Sequence, residues 1–578
     1  MLRIWKKYNI RDVHLNSWDV IALVIVLGVF ALLALGAHHM DQPYHVGQTL
    51  SIHLSPYYLP YYALRTVLRM LIAMGVSLLF TLIVATLAAK NRHAERLIIP
   101  AIDILQSVPI LGFLSITVIG FIALFRGSLL GPECAAIFAI FTSQVWNITL
   151  GFYQSLKTVP KELQEAADIF HLSSWQRFWQ VEVPCAIPSL IWNMMISMSG
   201  GWFFVVASEA ISVNHQTILL PGIGSYIAQA ISHTDKLAVM WAIIAMIVVI
   251  FLYDQLMFRP LIYWSERFKF DTSWDQPKPR SLIVSLMQRA YFLHFLGRGI
   301  TRLVHGFINL PIGRRLNDSP YVHKRQLSIR LKQGLVIAYY TCVAIAAVTA
   351  AIALLLFIVR SIGWQPIPHV LLLGVFTAIR VFVLIFLSSL FWVPISVKVG
   401  MNPKLSRIVS PIAQFLAAFP ANLLFPIVVV AIVHFNLNPE IWTAPLMILG
   451  TQWYIVFNVI AGAASLPKEL YLVTRNFQVK GWLWWKKFIL PGILPFYITG
   501  AMTAAGGAWN ASIVAEVVSW GGQTIKATGL GAYITTVTAQ GNFAEIALGI
   551  SVMCLYVLLI NRLVWQPLYN LVQKRFQN

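Results

Sequence analysis

The chain is built twice from one plan. Moved by 307 residues along itself, TVPKELQEAADIFHLSSWQRFWQVEVP, which begins at Thr158, falls on SLPKELYLVTRNFQVKGWLWWKKFILP. Without a gap, Pro160, Lys161, Glu162 and Leu163 meet Pro467, Lys468, Glu469 and Leu470, while Phe170 meets Phe477, Trp175 meets Trp482 and Pro184 meets Pro491. The register continues through Gly200/Gly507, Trp202/Trp509 and Glu209/Glu516, and the set Gly222, Gly224, Tyr226, Ile227 meets Gly529, Gly531, Tyr533, Ile534. Unrelated stretches would match at about one position in twenty, so this is a duplication, and the fold must be assembled from two copies of one unit. Upstream the offset is 311: Thr66 and Arg69 match Thr377 and Arg380, and Pro100 and Pro109 match Pro411 and Pro420.

The material is that of a membrane protein. Of 578 residues 58% are hydrophobic and 11% charged, where a soluble surface needs about a quarter charged. Twelve segments carry the roughly 20 apolar residues that cross about 30 Å of hydrocarbon as helix. They lie near 18–38, 61–89, 98–125, 132–156, 185–213, 237–258, 333–360, 368–397, 408–435, 440–463, 491–517 and 543–565. Backbone polar groups cannot go unpaired in lipid, and ten-residue alternating segments are absent, so the expected fold is all-α and polytopic. The chain divides into a first half, 1–258, a basic linker, 259–332, and a second half, 333–578. Each half is a first helix followed by a five-helix core.

The net charge of +21 is a matter of sidedness rather than of nucleic acid. About 35 of the Lys and Arg fall in segments assigned to the cytoplasmic side and about 4 outside. Both copies of the repeated loop, and both termini, then lie inside. The linker holds 14 Lys and Arg and no span. Within it Met287–Asn309 mixes Phe, Leu and Arg as a helix on anionic lipid does, and also as a helix packed on the protein does. Cys134, Cys185, Cys342 and Cys554 have no ligand spacing and read as small core residues, so no disulfide or metal is expected.

The repeated loop reads as two short helices. Thr158 is expected to cap the first, with Pro160 in its first turn and Glu162 where the helix dipole favours an anion; the helix runs to about Phe170, and Ser173 or Ser174 caps the second. Glu165-Ala166-Ala167, His171 and Val181-Glu182-Val183-Pro184 resemble the EAA loop of ATP-binding-cassette importer permeases. His171 stands where that pattern has Gly. In the second loop Leu472-Val473-Thr474 replaces Glu-Ala-Ala. Trp202, Glu209 and the Gly-x-Gly-x-Tyr-Ile set, each present twice, resemble the nitrate, sulfonate and taurine branch.

The resemblance implies a type I importer permease with both halves in one chain. It implies ATPase contacts at Glu162, Glu165, Ala166, Ala167, His171, Pro184, Glu469, Gln478, Gly481 and Pro491, made by two copies of a separate ATPase that binds the ATP. It also admits a periplasmic or lipid-anchored substrate-binding protein, and a small oxyanion as solute. No GxxxxGK[ST], HExxH or GxSxG motif with partners occurs, so the chain itself is expected neither to hydrolyse ATP nor to carry a cofactor. The rival is a twelve-helix secondary transporter. Arg65, Arg69, Arg380, Trp202, Glu209, Trp509 and Glu516 are candidates for the solute path, because ionisable groups inside spans are costly unless paired or functional. Either the arginines meet the anion, or they form buried ion pairs with the glutamates.

Overall fold

The computed structural model describes residues 50–106, 108–213, 216–268, 304–310, 329–520 and 523–576, with a few single positions before and between them. The first expected span, 18–38, lies almost wholly outside the described residues. Among the described residues eight helices are long and apolar enough to cross a membrane, and three further expected spans are each a bent pair of helices.

In the first half the helices are α1 (Leu59–Lys90), α2 (Arg92–Leu105), α3 (Ile110–Leu124), α4 (Leu130–Lys157), α5 (Lys161–Ile169), α6 (Ser174–Arg177), α7 (Val183–Glu209), α8 (Ile223–Ser232), α9 (Lys236–Tyr253) and α10 (Arg259–Ser265). In the second half, α11 (Ile329–Ile362), α12 (Pro366–Met401), α13 (Pro403–Ala418), α14 (Phe425–His434), α15 (Pro439–Trp442), α16 (Ala444–Leu449), α17 (Gln452–Ala464), α18 (Lys468–Asn476), α19 (Gly481–Trp484), α20 (Leu490–Ala515), α21 (Leu530–Gln540), α22 (Phe543–Ile560) and α23 (Gln566–Phe576) follow. Among the described residues the fold is all-α apart from two small antiparallel hairpins, β1 (Ala210–Val213) with β2 (Gln216–Leu219) and β3 (Val517–Trp520) with β4 (Gln523–Lys526).

The spans expected over 98–125 and 408–435 are broken, by 89° and 78°. Pro109 and Pro420 cause this: each sits just before the second helical piece in extended backbone, and a proline disfavours helix in its predecessor. The spans expected to reach 213 and 517 stop at Glu209 and Ala515, where the hairpins begin. The sixth span does not end at 258 but continues through a π-helical turn, Asp254–Phe258, into α10.

Packing is inside-out relative to a soluble protein. Along α1 one face buries Ala73, Ser77, Thr81, Ala85 and Ala88, small residues that let α4 and α7 approach closely. Thr81 and Thr149 share a hydrogen bond of 3.0 Å across the α1–α4 contact. Leu79, Ile83 and Leu87 on the same helix are more than half exposed, an apolar face that suits lipid or another apolar segment.

Candidate functional site

Two features repeat in both halves, an ion-pair network at one end of the long helices and the paired short helices at the other end, and the halves share a lined interface between them. In the first network α1 supplies Arg65 and Arg69, both fully buried. Arg69 donates through Nε to Glu133 at 2.6 Å, through Nη1 to Glu209 at 2.6 Å, and through Nη2 to Glu133 at 2.8 Å and to the Pro221 carbonyl at 3.0 Å. Arg65 adds a bond to Glu133 at 2.5 Å. Glu209 also accepts from Thr66 Oγ1 at 2.7 Å and from the Gly224 N–H at 2.6 Å. Its carboxylate therefore lies at the N-terminus of α8, where unpaired N–H groups and the helix dipole favour an anion. This explains the glycine set, since a Cβ at Gly222 would fall on the Glu209 carboxylate and one at Gly224 on the Val206 carbonyl.

The second network has the same design with one arginine fewer. Arg380 pairs with Glu516 at 3.1 Å, with Glu440, and with the Thr528 carbonyl at 2.7 Å. Glu516 accepts from Thr377 at 2.9 Å and from the Ala532 N–H at 3.1 Å. Arg65 has no counterpart here, since Phe376 stands at its equivalent position, and the Glu440 side chain is 43% exposed against 1% for Glu133. Glu133 and Glu440 were missed by sequence reasoning, although Pro132-Glu133 falls on Pro439-Glu440 at the same 307-residue shift.

Between the halves lie a cavity of about 650 Å³, which Trp202 lines, and a second of about 310 Å³. The polar lining of the smaller cavity is neutral, with Asn147 and Ser199 from the first half and Thr451, Tyr454, Thr503 and Asn510 from the second. Three cross-half bonds border it among the described residues: Asn510 Oδ1 accepts from the Ile110 N–H at 2.9 Å, Asn422 Nδ2 donates to the Phe203 carbonyl at 3.2 Å, and the Ser199 and Tyr454 hydroxyls share a bond of 3.4 Å. Of the sequence-derived path candidates only Trp509 lines this cavity; Arg65, Arg69, Arg380, Glu209 and Glu516 sit in the networks. Trp202 packs edge-on against Tyr253 at 5.4 Å, and Trp509 stacks on Tyr556 at 6.1 Å.

The repeated loops form as pairs of short helices, α5 with α6 and α18 with α19. Thr158 does not cap α5. It ends α4 instead, its hydroxyl turned back to the Gln154 carbonyl at 3.1 Å, while Pro160 takes the N-cap position. Ser173 caps α6 in a reciprocal capping box with Gln176. Glu162, Glu165 and His171 are exposed, as are Glu469, Gln478 and Gly481; Ala167 is buried, and Ala166, Pro184 and Pro491 are half-buried. In both halves the second short helix passes through a π-helical turn, Phe178–Glu182 or Trp485–Ile489, into α7 or α20. Loop and long helix are thus one rod, Ser174–Glu209 and Gly481–Ala515, each spanning about 50 Å at 1.5 Å per residue.

The departure at His171 has a backbone meaning. His171 has φ 48° and Gln478 has φ 51°, and Leu172 N–H bonds to the Ala167 carbonyl at 3.1 Å as Val479 N–H does to Thr474 at 2.9 Å. Both short helices end in a Schellman turn whose left-handed position favours glycine. A non-glycine residue there costs about 1 kcal/mol or more, part of which glycine returns through a freer unfolded chain. His171→Gly is expected to slow amide exchange over 161–172 severalfold; unchanged or faster exchange would show that the imidazole makes compensating contacts.

The family profile for binding-protein-dependent transport system inner membrane components matches the chain twice, at 77–259 and 391–577. The chain belongs to that family, the permeases of ATP-binding-cassette importers, with two copies of the domain in one polypeptide. Among its relatives are the bicarbonate transport system permease protein CmpB of Synechococcus elongatus, 27% identical over 31% of this chain and 61% of that protein. The nitrate import permease protein NrtB of Leptolyngbya laminosa is 28% identical over 25% of this chain and 47% of that protein. The glycine betaine/carnitine transport permease protein GbuB of Listeria monocytogenes is 28% identical over 29% and 54%. The chain thus spans 61% of the length of the first of these relatives and less of the other two.

Proposed function

We propose that the chain is the complete translocating unit of an ATP-driven importer in a bacterial inner membrane, with both termini cytoplasmic. Two copies of a separate ATPase dock, one on each repeated loop, and the solute, a small oxyanion, passes through the smaller cavity between the halves. The observation that carries this reading is the pair of rods: each begins in a loop helix, contributes residues to the shared cavity wall and ends beside a glutamate of an outer network. A tilt imposed at the loops would therefore reach the cavity and the outer end together. The neutral amides and hydroxyls of the cavity suit passage, because hydrogen bonds without a fixed cation hold an oxyanion weakly enough to release it. Bicarbonate and nitrate, named for two of the relatives, are small planar oxyanions, which supports that class, whereas the glycine betaine and carnitine named for the third are zwitterions.

Co-purification of a stoichiometric ATPase, followed by ATP-dependent oxyanion uptake in vesicles, tests the reading. Uptake driven by an ion gradient without ATPase would support the secondary-transporter alternative instead. Within the complex, Glu165→Lys is expected to weaken ATPase capture at least tenfold and Leu472→Lys less, because α5 keeps the acidic and small residues of the docking pattern while α18 has lost them. Equal losses in a pull-down would refute that inequality.

A further inference from the structure

A described segment inside the linker is fastened to the first repeated loop. Of the stretch expected as a helix over Met287–Asn309, the described part includes 304–310, and it reaches the loop's second helix. The Trp175 indole N–H donates to the Phe307 carbonyl at 2.8 Å, and the Gln176 amide to the Asn309 carbonyl at 3.4 Å. The Gln180 amide donates to Asn309 Oδ1 at 3.1 Å. Phe307 meets the rings of Trp175 at 4.9 Å and Trp179 at 5.6 Å, both edge to face. The last carbonyls of a helix lack partners within it, and here the loop supplies donors to two of them.

The same loop is held from other sides. Arg177 bonds to Asp168 at 3.0 Å and to Gln164 at 3.1 Å, tying α6 to α5, and Lys90 pairs with Glu182 at 3.0 Å, tying the π-helical turn to α1. At the equivalent positions of the second loop none of this chemistry remains. Gln176, Trp179 and Gln180 become Leu483, Lys486 and Lys487; Asp168 and Arg177 become Arg475 and Trp484; Glu182 becomes Ile489. The one retained indole, Trp482, is 73% exposed, and Lys480 makes no side-chain cap.

We infer that residues 304–310 of the linker are a built-in brace of the first loop, so that the two ATPase docking surfaces are unlike: a fixed, partly polar one at the first loop and a pliable, apolar one at the second. The linker is then more than a tether that raises the effective concentration of the halves. The docking consequence rests on the ATPase reading above; the brace does not.

Two measurements on the intact chain, without ATPase, decide the brace. A Gln180→Cys, Asn309→Cys pair is expected to be joined by a short bifunctional thiol reagent, while Lys487→Cys with Asn309→Cys is not. Phe307→Ala combined with Asn309→Ala is expected to speed amide exchange over 161–180 about tenfold and to leave 468–487 unchanged. These are exposed linker side chains, so the variant retains the membrane core. Absence of the cross-link, or exchange that stays the same in the first loop, overturns the proposal. With ATPase added, the same variant should weaken capture about tenfold, and a split chain broken near Pro279, which keeps 304–310, should not. An ATPase that binds neither the natural chain nor the variant refutes the docking reading, and the cross-link still decides the brace.

Discussion

Arg69→Gln is expected to be the most damaging single substitution in the ion-pair networks. Arg69 directs Nε and both Nη groups at Glu133, Glu209 and the Pro221 carbonyl from a fully buried position. Glutamine cannot span those partners, and it leaves Glu133 with Arg65 alone and Glu209 with its Thr66 and Gly224 bonds but no cation. Removing one partner of a buried ion pair costs about 3–5 kcal/mol, a large share of the stability of most folds. The variant should accumulate poorly, and its apparent Tm in detergent should fall steeply. Arg380→Gln should cost about 1–2 kcal/mol, because Glu440 is 43% exposed and water can solvate it. Glu516 also keeps its bonds from Thr377 and the Ala532 N–H. Adding Glu209→Gln to Arg69→Gln should recover part of the loss by removing one uncompensated charge. Equal damage from the two arginine variants would mean that the networks do not carry the difference seen in their burial. If Arg69→Gln accumulated normally but lost uptake alone, the arginine would belong to the solute path.

Gly200→Phe is expected to abolish uptake while leaving the complex assembled. Gly200 lines the smaller cavity, and a Cβ added there would approach only Tyr454 Oη, at 3.8 Å. The ring can therefore enter the open volume without moving backbone. A cavity of about 310 Å³ cannot hold that ring and a hydrated solute together, so uptake should fall at least tenfold with ATPase capture unchanged. Gly507, the repeat equivalent, is a poor control, since its Cβ would press on Thr451 within the same half. Normal uptake by Gly200→Phe would place the path elsewhere.

The duplication, the membrane class and the pairs of loop helices were legible because they are local or self-similar properties. Apolar runs of sufficient length, helix-starting residues and a constant offset are all read along the chain. The same offset reached further than first used, for it also relates Glu133 to Glu440 and the π-helical turns at Phe178–Glu182 and Trp485–Ile489. The two prolines after which the short helices α3 and α14 form were visible as Pro109 and Pro420, but apolar continuity alone concealed the sharp bends beside them.

Sequence by itself determined that this chain is two copies of one helical membrane unit, with an exposed loop of the same length at the same place in each. Only tertiary structure decided what the charged residues do. Arg69 and Glu209 are 140 residues apart and meet at 2.6 Å, a contact set by how α1 and α7 lie against each other rather than by any spacing. It likewise decided that Gly222 clears room for a carboxylate, that His171 occupies a left-handed turn, and that Phe307 rests on Trp175. Periodicity tells which face of a helix is apolar, but the partner of that face depends on the packing of all the helices at once.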